Sequence, residues 1–236
     1  MVDNKYMNQI IIRNKKIKNI YFRVKSDLNI YVTTPKRVTK KYIYELINNK
    51  KGLKDWIEKQ IDKRIKELKN DEKELIDGEK IYYLGNYYIL KVLKCKKENI
   101  IIIGNKMYMY VDIKNYYDNN IIKKYAVLDN WYEKEAYKLF SYLIKKYSSI
   151  MNLKVNSFGI KRLKSKWGSC HILKKHILLN LDLIKYPIPS IEYIIIHELT
   201  HLIYPNHSKE FYDTVNIYMP DWKKNKKILN TFFINI

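Results

Sequence analysis

"IIIHELTHLIYPNH", residues 194–207, decides how this chain is read. It holds three of the five histidines, with a glutamate directly after the first. Three adjacent β-branched isoleucines suit a buried strand. A strand would set His197 and His201 about 13 Å apart on one face, too far to share an ion. A helix sets positions i and i+4 about 40° apart in azimuth and one turn apart in height, so both imidazoles reach one point. The longer run "SIEYIIIHELTHLIY" exceeds a typical strand, and Tyr193, Ile196, Thr200 and Ile203 keep helical spacing. The stretch therefore predicts a buried helix from about 189 to 204, with Ser190 as its cap.

On that helix His197-Glu198-Leu199-Thr200-His201 fits H-E-x-x-H. Such a match arises by chance on the order of 0.01 times in a chain this poor in histidine. The competing reading is a set of satisfied core histidines. As a metal site, His197 and His201 are ligands and Glu198 is the catalytic general base. Zinc lowers the pKa of a bound water toward about 7, and a carboxylate can take its proton. A third ligand is needed, and His207 follows six residues after His201. Pro205 stops the helix, and Asn206 or Ser208 can cap the next one, holding His207 at its start. The offsets match H-E-x-x-H-x-x-G-x-x-H, except that Tyr204 stands in the glycine position. Glu210 is a rival third ligand. The expected cofactor is one zinc ion per chain.

Around this core the other candidates serve substrate, oxyanion or site shape. Lys166 could stabilise anionic charge, Trp167 could line a cleft, and His171 could bind substrate. Tyr204 could donate to an oxyanion. For each the plainer reading is a solvated lysine, a packed aromatic or a surface histidine. Gly168 reads as a tight turn, Cys170 as a soft ligand or a small buried residue, and an apolar floor under the metal is the lesser of the readings for Met219. His176 reads as an ordinary strand residue.

The composition sets the context. The 236 residues are 47% hydrophobic, enough for a sizeable core. Two cysteines make no disulfide framework. No secretory signal or bilayer-length apolar run is visible, so the expectation is a cytoplasmic protein that does not engage membranes. The formal charge of +22 comes from 41 Lys and only 5 Arg. A basic surface favours nucleic acid, but phosphate and groove recognition prefer the arginine fork. A solvated lysine coat competes with nucleic-acid binding here.

Residues 8–34 read as a small meander, followed by a helix capped by Thr39 with Ile43, Leu46 and Ile47 on one face. After Gly52 a second helix carries Ile57, Ile61, Ile65 and Leu68. Residues 77–92 read as a hairpin turning at Gly85-Asn86, with further strands near 100–103 and 107–111. A long helix from about 121 to 147 follows. Strands near 154–163 and 175–180 precede helices at 189–204, 208–218 and 222–231. The expectation is an α+β fold, with a β-rich N-terminal region over residues 1–117 carrying two helices. A mostly helical catalytic region with a small sheet follows over 118–236, the boundary lying in "KNYYDNN".

"KSKWGSC", "ILLNLDLIKYP", "IEYIIIHELTHL" and "NHSKEF", in this order, resemble the YgjP-like metallopeptidase family, related to SprT-like and WLM-type zinc proteases. "RVKSDLNIYVTTP", "WIEKQIDK" and "DGEKIYYLGNYYILKV" are similar to its N-terminal half. The resemblance implies a zinc-dependent hydrolase with a minimal zincin-like core. It carries the zinc ligands to His197, His201 and His207 and the base to Glu198, and places residues 167–170 near the active site. Lys166 stands where an arginine often precedes the family's tryptophan. The function expected is a peptidase acting on proteins or peptides, with DNA-associated proteins among its substrates. The alternatives are a metal-dependent hydrolase of nucleotide phosphoanhydrides and a non-catalytic nucleic-acid-binding module with a structural metal.

Overall fold

The computed structural model describes residues 10–24, 28–69, 74–112 and 121–231. The stretch 114–120, where the sequence suggests a boundary, and residues 8 and 9 lie outside them. So does the side chain of Leu68. The fold is α+β, with small sheets and six α-helices among the described residues. Contacts divide the chain into two units. One holds residues 1–79, 91–101 and 108–130; the other holds 80–90, 102–107 and 131–236. A four-stranded sheet, β4 (Lys80–Tyr83), β5 (Asn86–Cys95), β6 (Asn99–Ile103) and β7 (Lys106–Asp112), has residues in both, in the order β4-β5-β7-β6. So does the helix α3 (Ile121–Ile150).

In the first unit β1 (Ile10–Lys15), β2 (Tyr21–Val24) and β3 (Ile30–Pro35) form a sheet in the order β1-β3-β2. This is not the expected meander, because β1 pairs with β3 in parallel and β2 pairs with β3 antiparallel. Burial explains the choice. β3 carries the fully buried Ile30 and Val32, so it takes the centre, where both edges are paired. Thr39 caps α1 (Lys40–Asn49), its side chain accepting from the Tyr42 amide at 3.2 Å. Ile43 and Ile47 of α1, Ile57 and Ile61 of α2 (Lys51–Lys69), and the two β3 residues build the unit's core.

The second unit carries the histidines. β8 (Ser157–Lys161), β9 (Gly168–His171) and β10 (His176–Asn180) form a sheet in the order β8-β10-β9. β10 is parallel to β8 and antiparallel to β9, so both its edges are occupied and β9 lies at an edge. Gly168 thus opens a strand rather than a turn. A 3₁₀ segment at Leu181–Lys185 leads into α4 (Ile188–Thr200), followed by α5 (Lys209–Tyr218) and α6 (Trp222–Thr231).

α4 packs against α5, α6 and β9. This surrounding burial makes the isoleucine run helical: Ile191, Ile194, Ile195, Ile196 and Leu199 are all buried, as a helix apolar on every face must be. The start differs from the expected Ser190 cap. Pro187 is the N-cap, and Pro189 sits in the first turn, where its missing N–H costs nothing. Ser190 lies inside the helix and donates to the Asn225 carbonyl of α6 at 3.4 Å. The β4–β5 hairpin reaches this start. Its turn is Leu84-Gly85, with φ of 50° and 82°. The Leu84 and Gly85 amides donate to the Ile184 and Lys185 carbonyls at 2.9 and 3.0 Å.

Candidate metal centre

α4 ends at Thr200, earlier than its apolar pattern suggests. The chain then tightens: the Leu202, Ile203 and Tyr204 amides donate to the Leu199, Thr200 and Thr200 carbonyls. This winding brings the Tyr204 carbonyl to 3.2 Å from His201 Nδ1, which donates to it. The bond fixes the tautomer and leaves His201 Nε2 as a bare lone pair. Ser208 then caps α5 by accepting from the Phe211 amide at 3.4 Å. His207 stands immediately before this cap, with its Nε2 3.0 Å from His197 Nε2.

His197, His201 and His207 offer ligand nitrogens that all lie within 4.8 Å of one another, a group able to hold a metal ion. Their ring centroids are 5.0, 4.8 and 4.7 Å apart. The donor set fits zinc: with Zn–N bonds of about 2.0–2.1 Å, tetrahedral ligands stand about 3.3 Å apart. Burial, then the neighbouring imidazoles and Lys226, push His197 down to about 3, and His201 is lowered by burial. Both rings therefore stay neutral, the form that binds a metal.

Glu198 points away from α4 toward β9. It is 5% exposed, and its Oε2 has no hydrogen-bond partner among the described residues. Burial raises its carboxyl to about 8, with Lys166 opposing the rise. A buried carboxylate oxygen left without a partner is costly unless a cation or water completes it. This is a second observation consistent with a metal at the adjacent imidazoles.

The other sequence-predicted residues take plainer places. Lys166 is exposed, and its carbonyl accepts from Asn180. Trp167 packs edge-on to Tyr186 at 4.9 Å. His171 is exposed, its Nδ1 accepting from the Lys174 amide. Tyr204 contributes its carbonyl. Glu210 accepts from the Ser208 hydroxyl at 2.6 Å and is not in the metal-binding group. Met219 is buried, and its Sδ accepts from Asn225 Nδ2 at 3.5 Å. Cys170 has its thiol pushed up to about 11 by burial and by Glu198.

Phe211 is the floor that the sequence leaves unmarked. Its fully buried ring lies 4.9, 4.7 and 4.8 Å from the rings of His197, His201 and His207. Its place three residues after the cap Ser208 is the one sequence signal that could have found it. A column of stacked rings leads from the exposed His207 to the buried Tyr193: His207 on Tyr212, Tyr212 on Trp222, Trp222 on Tyr193. Lys226 Nζ lies 6.0 and 5.9 Å from the Tyr212 and Trp222 ring centroids. Asn180, buried at the end of β10, was also missed. Its Nδ2 donates to the Leu163 and Lys166 carbonyls at 2.9 and 3.1 Å, and its Oδ1 accepts from the Leu163 and Asp182 amides.

An α+β chain with a histidine triad able to hold a metal ion falls in the class of metal-binding proteins. The chain belongs to the YgjP-like family, metallopeptidase domain, whose sequence model matches residues 18–232. Among solved structures it is similar to the metallopeptidase zymogen of Pyrococcus abyssi abylysin, with 22% identity and a TM-score of 0.36. That similarity covers 41% of this chain and 93% of the other. No curated protein matches. Among the described residues no helix is long and apolar enough to cross a membrane.

Proposed function

We propose that this chain is a zinc-dependent metallopeptidase in which His197, His201 and His207 hold one zinc ion and Glu198 is the general base. The observation that carries the reading is the convergence of three imidazoles beside a buried carboxylate oxygen that lacks a partner. A bound zinc supplies Lewis acidity and acidifies a coordinated water. The chain's residues do the rest. Tyr204 fixes the His201 tautomer through its carbonyl, and Phe211 shields the rings from below. Glu198, held at a raised pKa by burial, is matched to moving a proton near neutral pH. The edge of β9 that no strand of its sheet pairs with suits an extended peptide, since β-strand addition needs an unpaired edge. β10 does not suit this role, because both its edges are taken.

The test is metal analysis combined with Glu198→Gln. One zinc per chain in both forms, with hydrolysis lost only in the variant, is the expected result. Unchanged hydrolysis removes Glu198 from the mechanism. Assays on unfolded protein, DNA-bound protein and nucleoside triphosphates separate the peptidase from the alternatives. Turnover of triphosphates alone would replace the peptidase reading. Cleavage confined to DNA-bound protein, and suppressed by salt, would identify the DNA-associated substrates.

A further inference from the structure

Gly168 is a glycine without an obvious backbone reason. The glycines with left-handed φ are Gly78, Gly85 and Gly104, whereas Gly168 lies in β9 opposite Leu179 of β10. What matters is the side chain it lacks. A Cβ at this position would stand 2.7 Å from Glu198 Oε1, 2.8 Å from Cγ and 3.0 Å from Cδ. Favourable contacts between heavy atoms begin near about 3.5 Å. The outer half of the glutamate therefore occupies the volume that any other residue at 168 would fill.

Both partners are held by their surroundings. Glu198 is 5% exposed, on a helix whose Ile191, Ile194, Ile195, Ile196 and Leu199 are buried. β9 is paired with β10 along its whole length. The residues leading into β9 are tied down by Asn180, through three side-chain hydrogen bonds and its amide, which donates to the Trp167 carbonyl at 2.8 Å.

We propose that Gly168 is a positioning residue: the backbone of β9, anchored by Asn180, is the wall against which the Glu198 carboxylate rests, and this contact sets its place beside the histidine triad. The proposal rests on the reading of Glu198 as the general base and adds what holds that base in register.

The experiment has two arms, both on the full chain. In the first, the chelator-stripped protein is unfolded in urea, with Gly168→Ala placed in the wild-type, Glu198→Gln and Glu198→Ala backgrounds. The alanine should lower the midpoint in the first two, whose side chains are the same length, and lower it far less in the third. An equal drop in all three overturns the proposal. Should Gly168→Ala fail to fold in the wild type, folding restored by Glu198→Ala supports the contact, and failure in both overturns it. In the second arm, zinc-loaded Gly168→Ala should keep one metal per chain while kcat falls by about 10²-fold at unchanged KM, the effect of a misplaced catalytic group. Full kcat with normal metal content would sink the positioning role. A wild type that cleaves no peptide removes the peptidase reading, yet leaves the urea arm to decide whether the contact exists.

Discussion

His197 and His207 face each other through their Nε2 atoms at 3.0 Å. Without a metal one of the two must carry a proton and donate; with a metal both offer lone pairs. Metal removal should therefore leave the fold standing but loosen its last three helices. At a free zinc concentration of a thousand times Kd, binding adds about 4 kcal/mol of stability. Chelation should lower Tm, and His207→Ala should lose most of the bound zinc while its circular dichroism spectrum stays unchanged, because His207 is exposed. Retention of stoichiometric zinc by this variant would argue for a different third ligand.

Phe211→Ala opens a cavity beneath all three imidazoles. Large-to-small changes of a buried phenylalanine cost about 3–5 kcal/mol. Urea unfolding of the metal-free protein should show a loss of this size, and zinc affinity should fall with it. Phe211→Leu should recover most of the stability and only part of the affinity, since a branched aliphatic chain fills volume without matching the flat ring.

Asn180 holds the loop ahead of β9, and its two substitutions separate the roles of its atoms. Asn180→Ala removes all four side-chain hydrogen bonds, and each buried backbone group left without a partner costs about 1–3 kcal/mol. Asn180→Asp keeps the acceptor for the Leu163 and Asp182 amides but turns the donor into an oxygen facing two carbonyls. Differential scanning calorimetry should rank both well below the wild type. A wild-type Tm in either would show that the loop is held by other contacts.

Asp182 gives the acid limb of the stability curve. Burial would raise its carboxyl, but Lys185 and Arg162 overcome that and hold it below its usual range. A carboxylate with a depressed folded pKa stabilises the protein above its unfolded pKa, and the gain is lost as pH falls through the folded value. Asp182→Asn should therefore be less stable than the wild type at pH 7, and the gap should close below about pH 4. Urea midpoints measured across this range check the sign; a gap independent of pH would mean that the charge is not responsible.

Gly85 carries φ of 82°, and a Cβ there would lie 2.7–3.0 Å from Pro187 atoms, two of them backbone. Gly85→Ala combines left-handed strain with overpacking and should cost about 1–3 kcal/mol. The damage should reach the start of α4, visible as faster amide exchange in its first turns. Unchanged exchange would show that the hairpin tip does not brace this helix.

The helix pair His197 and His201 is legible because four-residue spacing is a local property of one helix. His207 is legible for a similar reason: a proline, a turn and the cap Ser208 fit within seven residues. Phe211, Asn180 and Gly168 escape such reading because each matters through a neighbour distant in the chain or through the shape of a cavity. Gly168 invites a turn assignment, since turns are the usual reason for a glycine; its real reason is a carboxylate thirty positions later. Strand order was hidden likewise. Nothing in the short runs of residues 10–35 says that the first strand passes over the second to pair with the third, and only the full burial of Ile30 and Val32 does. The end of α4 came earlier than its pattern because the turn that carries the Tyr204 carbonyl back to His201 begins at once.

The ligand triad spans eleven consecutive residues, while the contact between Gly168 and Glu198 joins segments thirty positions apart. Closing the shorter loop costs less chain entropy, and local contacts form sooner than distant ones. Chain entropy therefore favours gathering the three histidines over seating the glutamate against β9. The proposed metal ligands and the proposed base are thus brought into place by two different chain closures, one local and one distant.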